Sequence, residues 1–488
     1  TVYIREEGTY TAEVKGPGNY VTELSKDVSG DIGPETTLSE RSEVKQFIYD
    51  ANGYTDARIG SVSGVAQSNR LSDDGLAMAI GDIKYNSSVG RAYYYERSST
   101  SDTFTKTHTF DAVESGSTYD FGTGIAMNGA KTRIAISAPD SSSGNTSVAK
   151  IYVYDRASTS ASWPGTPTFT IDYPNTTVKR FALGIEMSDD GNTILAGSAS
   201  YTTTANEGGI FVFEYTNSSW SKTFEVTNSL SSFGLRIHMN KDGTRIIGSG
   251  SPSALLVYHK VSGTWNSTAQ LTAESGNGCG ISPDGNTVAV GNLEYSDYKG
   301  RVYVYKYSGN SWGSAVNIDT PNGGTTSASN PYEFGSSPRF NNDGTLLVAG
   351  AQSYNSSMGC FELWKYESGS WVFKKQFLNP TVKTGHGADN GEMFGQFMAM
   401  DNAGKSLIVS NLGNDVQGDD YGRIVLYGAA SQPSLTYDGK NKLTIVGCDY
   451  ADTSKVTKRG GTTYDIGTAK TMYIKETGDY DLEVSGSD

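Results

Sequence analysis

The sequence predicts an all-β protein, and most of the chain is expected to form a seven-bladed β-propeller with small β-modules at its ends. Three observations carry this prediction. Apolar residues alternate with a period of two and form no helix-period stripe. A unit of turn and strands recurs seven times, at a spacing of roughly 40–60 residues that is typical of propeller blades. Small residues, including many of the 58 glycines, end the apolar runs, which suits closely packed sheets.

Residues 282–305 show the repeated unit most clearly. A turn at Asp284-Gly285 leads into the apolar run 288–291, and after a polar loop Gly300 opens a second alternating run at 301–305. Asp-Gly favours a tight hairpin turn because glycine accepts a positive φ. The second strands of the related units end at Gly81, Ser137, Gly197, Gly250, Gly350 and Ser410.

Residues 44–49 read as a strand without a neighbour, whereas the seventh unit has no fourth strand after Tyr427. We therefore expect 44–49 to pair with the strand 423–427 and to close the ring, which removes exposed sheet edges. The predicted organisation has three parts, listed here with their boundaries: an N-terminal β-hairpin module at 1–40, the propeller at 41–430 with its closing strand at about 44–49, and a C-terminal β-module at 431–488.

The chain ends on the motif with which it begins. TVYIREEGTYTAEVKG at 1–16 matches TMYIKETGDYDLEVSG at 471–486, and we expect both to form the same hairpin. Either the two hairpins are paired parts of one flanking domain, or the chain is one period of a longer tandem protein. We favour the second hypothesis because the sequence begins with Thr rather than Met.

Most first strands begin with Phe-Gly, as at Phe121-Gly122, Phe233-Gly234, Phe334-Gly335 and Phe394-Gly395. Together with the Asp-Gly turn, the Gly-x-Val-Tyr-Val-Tyr strand and a Trp-containing strand, this pattern resembles the FG-GAP repeats of integrin-α-like propellers over residues 51–430. The resemblance implies the propeller fold, and for some members it implies calcium-binding loops. The terminal motifs, with YDIGTA at 464–469, resemble segments of large structural proteins of marine algal giant viruses.

Calcium is the cofactor to consider, because Ca²⁺ takes six to eight oxygen ligands. The turns before the second strands offer only one or two carboxylates each, so we expect their aspartates to stabilise the hairpins instead. The loops after the second strands are the better candidates. The predicted metal ligands are Asp415, Asp419 and Asp420 in one loop, and Asp82 and Asp140 in equivalent places.

No catalytic motif is found. The four histidines have no metal-ligand spacing, and neither a nucleophile elbow nor a phosphate loop is present. We expect first strands with mostly small or apolar residues to line the ring axis. The expected axial residues are Ile125, Ile185, Ile237, Ile281 and Met398. Trp220, Trp265, Trp312 and Trp371 recur at one position and are expected to be packing residues. The three cysteines predict buried free thiols rather than a disulfide framework.

The net charge of −14 disfavours nucleic acid and anionic membranes as partners. No apolar run approaches the ~20 residues of a membrane span. These features favour a non-enzymatic structural or adhesive module of a larger tandem β-rich protein. Its expected place is extracellular, on a virion or cell surface, where it contacts proteins, glycans, neighbouring copies or further domains of the same chain. The alternative is a carbohydrate-active or lectin-like propeller.

Overall fold

The structure is a computed structural model. It describes residues 69–83, 85–100, 104–114, 120–139, 149–172, 181–198, 208–228, 231–251, 254–272, 278–324, 326–327, 330–379, 393–411 and 423–429, together with single strands between 2 and 49 and between 434 and 485. The described chain is nearly all β. It divides into two compact units, one comprising residues 46–427 and the other residues 1–45 with 428–488.

Seven small antiparallel sheets stand in a ring, so the fold is a seven-bladed β-propeller, as the sequence predicts. Most of the sheets are meanders in which consecutive strands pair. The strands are Asn69–Leu71, Ala77–Asp82, Arg91–Glu96 and Thr105–Asp111 in blade 1; Ile125–Met127, Arg133–Ala138, Lys150–Asp155 and Phe169–Asp172 in blade 2; Phe181–Met187, Thr193–Ser198, Gly208–Thr216 and Ser219–Asn228 in blade 3; Ser231–Met239, Arg245–Ser251, Ala254–Val261 and Thr264–Thr272 in blade 4; Gly278–Ile281, Thr287–Asn292, Arg301–Ser308, Ser311–Trp312 and Val316–Asp319 in blade 5; Phe334–Phe340, Leu346–Ala351, Cys360–Glu367 and Ser370–Leu378 in blade 6; and Met398–Met400, Ser406–Asn411, Arg423–Ala429 and Val44–Tyr49 in blade 7.

Blade 7 combines strands from distant parts of the chain. Val44–Tyr49 lies beside Arg423–Ala429 and supplies the fourth strand of that sheet. The last sheet of the ring therefore contains a segment that precedes the first blade in the sequence. Such a closure gives the ring no free end at which blades could separate.

The turns between first and second strands are held by the side chains that the sequence predicts. Asp74 Oδ1 accepts a hydrogen bond from the backbone N–H of Leu76 at 3.0 Å, and Asp190 Oδ1 accepts one from Asn192 at 2.9 Å. Asp242 makes the same bond in blade 4. These carboxylates satisfy backbone donors of their own turns, and they do not converge on a common point at which a cation would bind.

Apolar cores lie between neighbouring blades rather than in one central core. Phe121, for example, is fully buried between blades 1 and 2 with Tyr94 and Ile134. The glycine after each such phenylalanine allows the close approach. A Cβ on Gly81 of blade 1 would lie 1.9 Å from the carbonyl oxygen of Gly122 in blade 2. Phe-Gly therefore marks the places where the backbones of two blades touch.

Three short helical turns follow second strands, at Tyr85–Ser88, Tyr295–Tyr298 and Tyr354–Ser357. Their inner residues have positive φ, for example 50° at Asn355 and 57° at Ser356, so these turns are left-handed. Left-handed backbone costs about 1 kcal/mol or more per non-glycine residue. Each turn leads to a glycine, such as Gly359, which bridges to the phenylalanine that opens the next blade. None of the helices among the described residues has the length and apolar character needed to cross a membrane.

Backbone hydrogen bonds also join the first turns of neighbouring blades around the axis. In the described residues six such bonds run from N–H to carbonyl oxygen, at distances of 2.6–3.2 Å. They run from Asn402 to Asp73, Asn342 to Asn402, Asp284 to Asn342, Lys241 to Pro283, Asp189 to Lys241 and Gly129 to Asp189. The first of them joins blade 7 to blade 1, so the two ends of the ring are tied at the axis as well as by the closing strand.

The predicted terminal hairpins are wrong. Val2–Ile4 does not pair with Thr9–Gly16; it lies parallel to Thr471–Ile474, with Tyr3 beside Tyr473. A two-stranded hairpin is marginally stable, and a shared sheet of four strands buries more surface, which explains why the repeated segments pair with each other. The strands of this unit are Val2–Ile4, Thr9–Gly16, Tyr20–Asp27, Ser434–Tyr437, Lys442–Val446, Thr453–Lys458, Thr463–Gly467, Thr471–Ile474 and Tyr480–Ser485.

Candidate binding site on the ring axis

A funnel opens on the ring axis, on the face formed by the first turns, and encloses about 640 Å³ when the solvent at its mouth is included. Half of its charged lining comes from one repeat position, two residues before the residue that starts each first turn. The residues at this position in blades 1 to 7 are Arg70, Ala126, Glu186, His238, Gly280, Arg339 and Ala399. Four blades therefore place charged or titratable side chains on the axis, and three place small residues there.

The four large side chains form a chain of contacts across the axis, which we call the axial strut: Arg70, Glu186, His238 and Arg339. Arg70 Nη1 donates to Glu186 Oε2 at 2.6 Å. Glu186 Oε1 lies 2.8 Å from His238 Nδ1, and His238 Nε2 lies 3.2 Å from Arg339 Nη1. The strut thus connects blades 1, 3, 4 and 6.

Arg339 extends the strut to a fifth blade. Its Nε donates to the carbonyl oxygen of Met398 in blade 7 at 2.8 Å, and its Nη1 donates to the carbonyl oxygen of Pro338 at 2.9 Å. A guanidinium group presents five N–H donors in a fixed plane, which allows one side chain to donate hydrogen bonds to several blades at once. All four residues of the strut line the funnel.

The partners of His238 determine its protonation state. Arg339 can only donate, so His238 Nε2 must accept, and the ring proton belongs on Nδ1, where it is donated to Glu186. Burial and the charge of Arg339 lower the pKa of His238 to about 4, although Glu186 opposes them. Burial alone would raise the pKa of Glu186, but the charge of Arg70 and the hydrogen bond with His238 lower it to about 2. At neutral pH the strut therefore contains a neutral imidazole between a carboxylate and a guanidinium.

The mouth of the funnel carries polar groups from the turns: Asp73, Asp189, Lys241 and Asn402. Burial, together with the hydrogen bond to Asp73 and the charge of that residue, raises the pKa of Asp189 to about 7. The Asp189 carboxyl group is therefore only partly ionised near neutral pH. Lys241 is exposed, and its ammonium group donates to Asn342 Oδ1 at 3.3 Å.

The expectation of a small or apolar axis is wrong. Ile125, Ile185 and Ile237 point away from the axis and are buried in cores between blades. Side chains alternate along a strand, so an error of one residue exchanges the two faces. The axial residues are therefore the next ones along, including Glu186 and His238. Met398 contributes its carbonyl oxygen to Arg339, and Ile281 lines the wall of the funnel.

The repeats contain a signal that identifies these residues. At the strut position the residue type differs from blade to blade: it is arginine, glutamate, histidine or a small residue. The next position along each strand stays apolar, as in Leu71, Met187 and Met239. A packing role predicts similar residues in every blade, whereas a variable charged position at the axis indicates a specific role. Its recognition requires an alignment of the first strands that is correct to one residue.

Of the predicted metal ligands, only Asp82 lies among the described residues. It is fully buried, and Tyr93 OH donates to its Oδ2 at 3.4 Å. Asp140, Asp415, Asp419 and Asp420 lie outside the described part of the chain, so calcium binding there stays a prediction. Within the described ranges no group of three or more His, Cys, Asp or Glu residues could hold a metal ion.

The remaining predicted features take structural roles. Trp220, Trp312 and Trp371 pack against tyrosine rings of their own blades at centroid distances of 5.2–5.5 Å. Cys279 and Cys360 are buried free thiols, and burial raises the pKa of Cys279 to about 11. Such thiols are poor nucleophiles at neutral pH.

No protein-family model matches the chain, and no curated protein matches it either. We therefore infer a function from the geometry of the axial funnel.

Proposed function

We propose that this protein is a non-enzymatic adhesive module that binds a glycan in the axial funnel. The observation that carries the proposal is the funnel itself, a concave site built by side chains of several blades above the closed axial strut. A concave site with several convergent polar groups suits a saccharide unit better than the flat surface of a protein. Asparagine, aspartate, lysine and arginine at one mouth offer both donors and acceptors for sugar hydroxyl groups.

The carboxylates favour binding over glycoside hydrolysis. Most glycosidases use two carboxyl groups that are about 5–5.5 Å or roughly 6.5–9.5 Å apart. Asp73 and Asp189 are neighbours whose interaction raises the pKa of Asp189, an arrangement that differs from two carboxyl groups held apart by a glycosidic bond. Both oxygens of Glu186 are engaged by Arg70 and His238, so this carboxylate serves the strut.

The repeats and the terminal segments bear on the location of the protein. We infer an FG-GAP-type ring, because Phe-Gly stands where blades touch. Together with the likeness of the terminal segments to giant-virus structural proteins, this favours a location on the exterior of a virion or cell. There the ring would act as an adhesive part of a larger β-rich protein.

The proposal is tested with an array of immobilised neutral and acidic oligosaccharides. We expect the full chain to bind a subset of them and the double variant Asp73→Asn, Asp189→Asn to bind with altered strength. Thr105→Ala, on the exposed outer strand of blade 1, is the matched control and should bind like the wild type. Retention of protein ligands but of no glycan would contradict the proposal, and release of new reducing ends from a bound glycan would show an enzyme instead.

A further inference from the structure

The funnel has cationic donors with spare capacity. Arg70 makes one ion pair, with Glu186, and about a quarter of its side chain, 27%, is exposed. Lys241 makes one long hydrogen bond of 3.3 Å, to an amide oxygen rather than to a carboxylate. Both side chains line the funnel. The N–H groups of Arg339 donate to His238 and to backbone carbonyl groups. Arg70 and Lys241, by contrast, have N–H groups that can donate to a ligand.

The local charge balance differs from that of the whole chain. The charged groups that line the funnel are Arg70, Asp73, Glu186, Asp189, Lys241 and Arg339, with neutral His238 between them. With the pKa of Asp189 at about 7, three cations face between two and three negative charges near neutral pH. Arg236, two residues before His238 on the same strand, adds a positive charge that acts on Arg339. Although the chain has a net charge of −14, its funnel therefore carries no negative surplus.

We propose that the axial funnel binds an acidic sugar, with Arg70 and Lys241 holding its carboxylate and Asp73, Asp189 and Asn402 holding its hydroxyl groups. This inference rests on the proposed function and names its ligand class. Charge-assisted hydrogen bonds from arginine or lysine to a carboxylate are the strong contacts of such a site. The neighbouring amide and carboxyl groups distinguish a uronic acid from a simple anion, because they recognise hydroxyl groups beside the carboxylate.

The ionisation of Asp189 at the mouth of the funnel makes the affinity for an acidic sugar depend on pH. As pH rises from 6 to 8 Asp189 loses its proton, and the added negative charge opposes an anionic ligand. The affinity for a carboxylate is therefore expected to fall over this range. His238 stays neutral throughout, since its two nitrogens are committed to Glu186 and Arg339.

The probes are methyl glucuronide and methyl glucoside, which differ in the carboxylate, measured by titration calorimetry on the full chain. At pH 6 we expect the glucuronide to bind at least ~10-fold more tightly than the glucoside. Lys241→Met should abolish most of this preference. Lys106→Met, which removes an exposed lysine on the outer strand of blade 1, should leave it unchanged. Asp189→Asn should remove the loss of affinity between pH 6 and pH 8, because the variant cannot lose a proton there.

The outcomes separate this inference from the proposed function. Equal binding of both probes, or glucuronide binding unaffected by Lys241→Met, would overturn the acidic-sugar site while leaving glycan adhesion in place. Equal competition by acetate would reduce the site to a simple anion site and would also overturn it. If no glycan of the array binds either, the proposed function fails as well. Unchanged thermal unfolding of each variant shows that the fold is retained.

Discussion

At the scale of the residue, the axial strut is the unusual feature of this ring. A carboxylate and two guanidinium groups are brought together on the axis through a histidine, with contacts of 2.6–3.2 Å. Buried charges are costly unless each is paired and hydrogen-bonded. In the strut each charged group has a partner from another blade, so the charges can be neutralised only when the ring is assembled.

His238 should make the stability of the ring depend on pH. Its pKa is about 4 in the folded chain and 6.5 as a free side chain, so its contribution is complete above pH 6.5 and is lost as pH falls towards 4. The shift corresponds to roughly 3 kcal/mol of unfolding free energy. Glu186, with a folded pKa of about 2, adds a loss in the same direction below pH 4.5.

The test is the variant His238→Gln, since a neutral amide can donate to Glu186 and accept from Arg339. Urea unfolding at pH 7, 5.5 and 4.5 should show a shallower loss of unfolding free energy than in the wild type. His259→Gln, on the third strand of blade 4 away from the strut, is the control. Because partial burial and Arg245 lower the pKa of His259 as well, it should reduce the slope, but less than His238→Gln does. Identical slopes for His238→Gln and the wild type would show that the imidazole does not titrate with folding.

At the scale of the element, the second strand of one blade and the Phe-Gly start of the next form the contact that sets blade spacing. Gly81 and Gly122 meet there, and Gly122 has a φ of 98°. Glycine provides both the missing Cβ and the positive φ. The same arrangement occurs between Gly291 and Gly335, where an added Cβ would lie 2.0 Å from a carbonyl oxygen.

Gly81→Ala is therefore expected to destabilise the protein by about 1–3 kcal/mol, because backbone atoms cannot move aside as a flexible side chain can. Gly165→Ala is the matched control: a Cβ there meets nothing within 4 Å, and its effect should stay within about 0.5 kcal/mol. Thermal and denaturant unfolding of both variants measure the difference. Equal stability of the two would contradict the role assigned to the close contact.

At the scale of the whole molecule, the closing strand and the ring of turn hydrogen bonds make the propeller a closed structure. Val44–Tyr49 completes blade 7, and Asn402 of that blade donates to Asp73 of blade 1 at 2.9 Å. The stacked cores between blades continue across this junction, where Leu71 and Ile80 pack with Ile408 and Leu426. The ends of the ring are thus joined by backbone pairing, turn contacts and apolar burial.

Two truncated chains test the closure. One begins at residue 41 and the other at residue 51; both lack the first 40 residues, and only the second lacks the closing strand. We expect the shorter chain to have a lower melting temperature and to aggregate, because blade 7 then presents an open edge. Size-exclusion chromatography and thermal unfolding measure both effects. Equal behaviour of the two chains would show that Val44–Tyr49 is dispensable.

The sequence by itself determined the repeat, the all-β class and the number of blades, because turn residues and period-two alternation are local properties that act within about ten residues. It also identified the role of the turn aspartates, since that role depends on backbone geometry that the residue types dictate.

Only the tertiary structure decided what lies on the axis and how the two ends of the chain meet. Glu186 and His238 are 52 residues apart, and the face on which they lie changes with a shift of one residue in strand register. Tyr3 and Tyr473 likewise pair because a parallel sheet forms between the ends, although local alternation predicts a hairpin at each end. Long-range pairing determined both outcomes, since the free energy gained by shared sheets and neutralised charges exceeds any local preference.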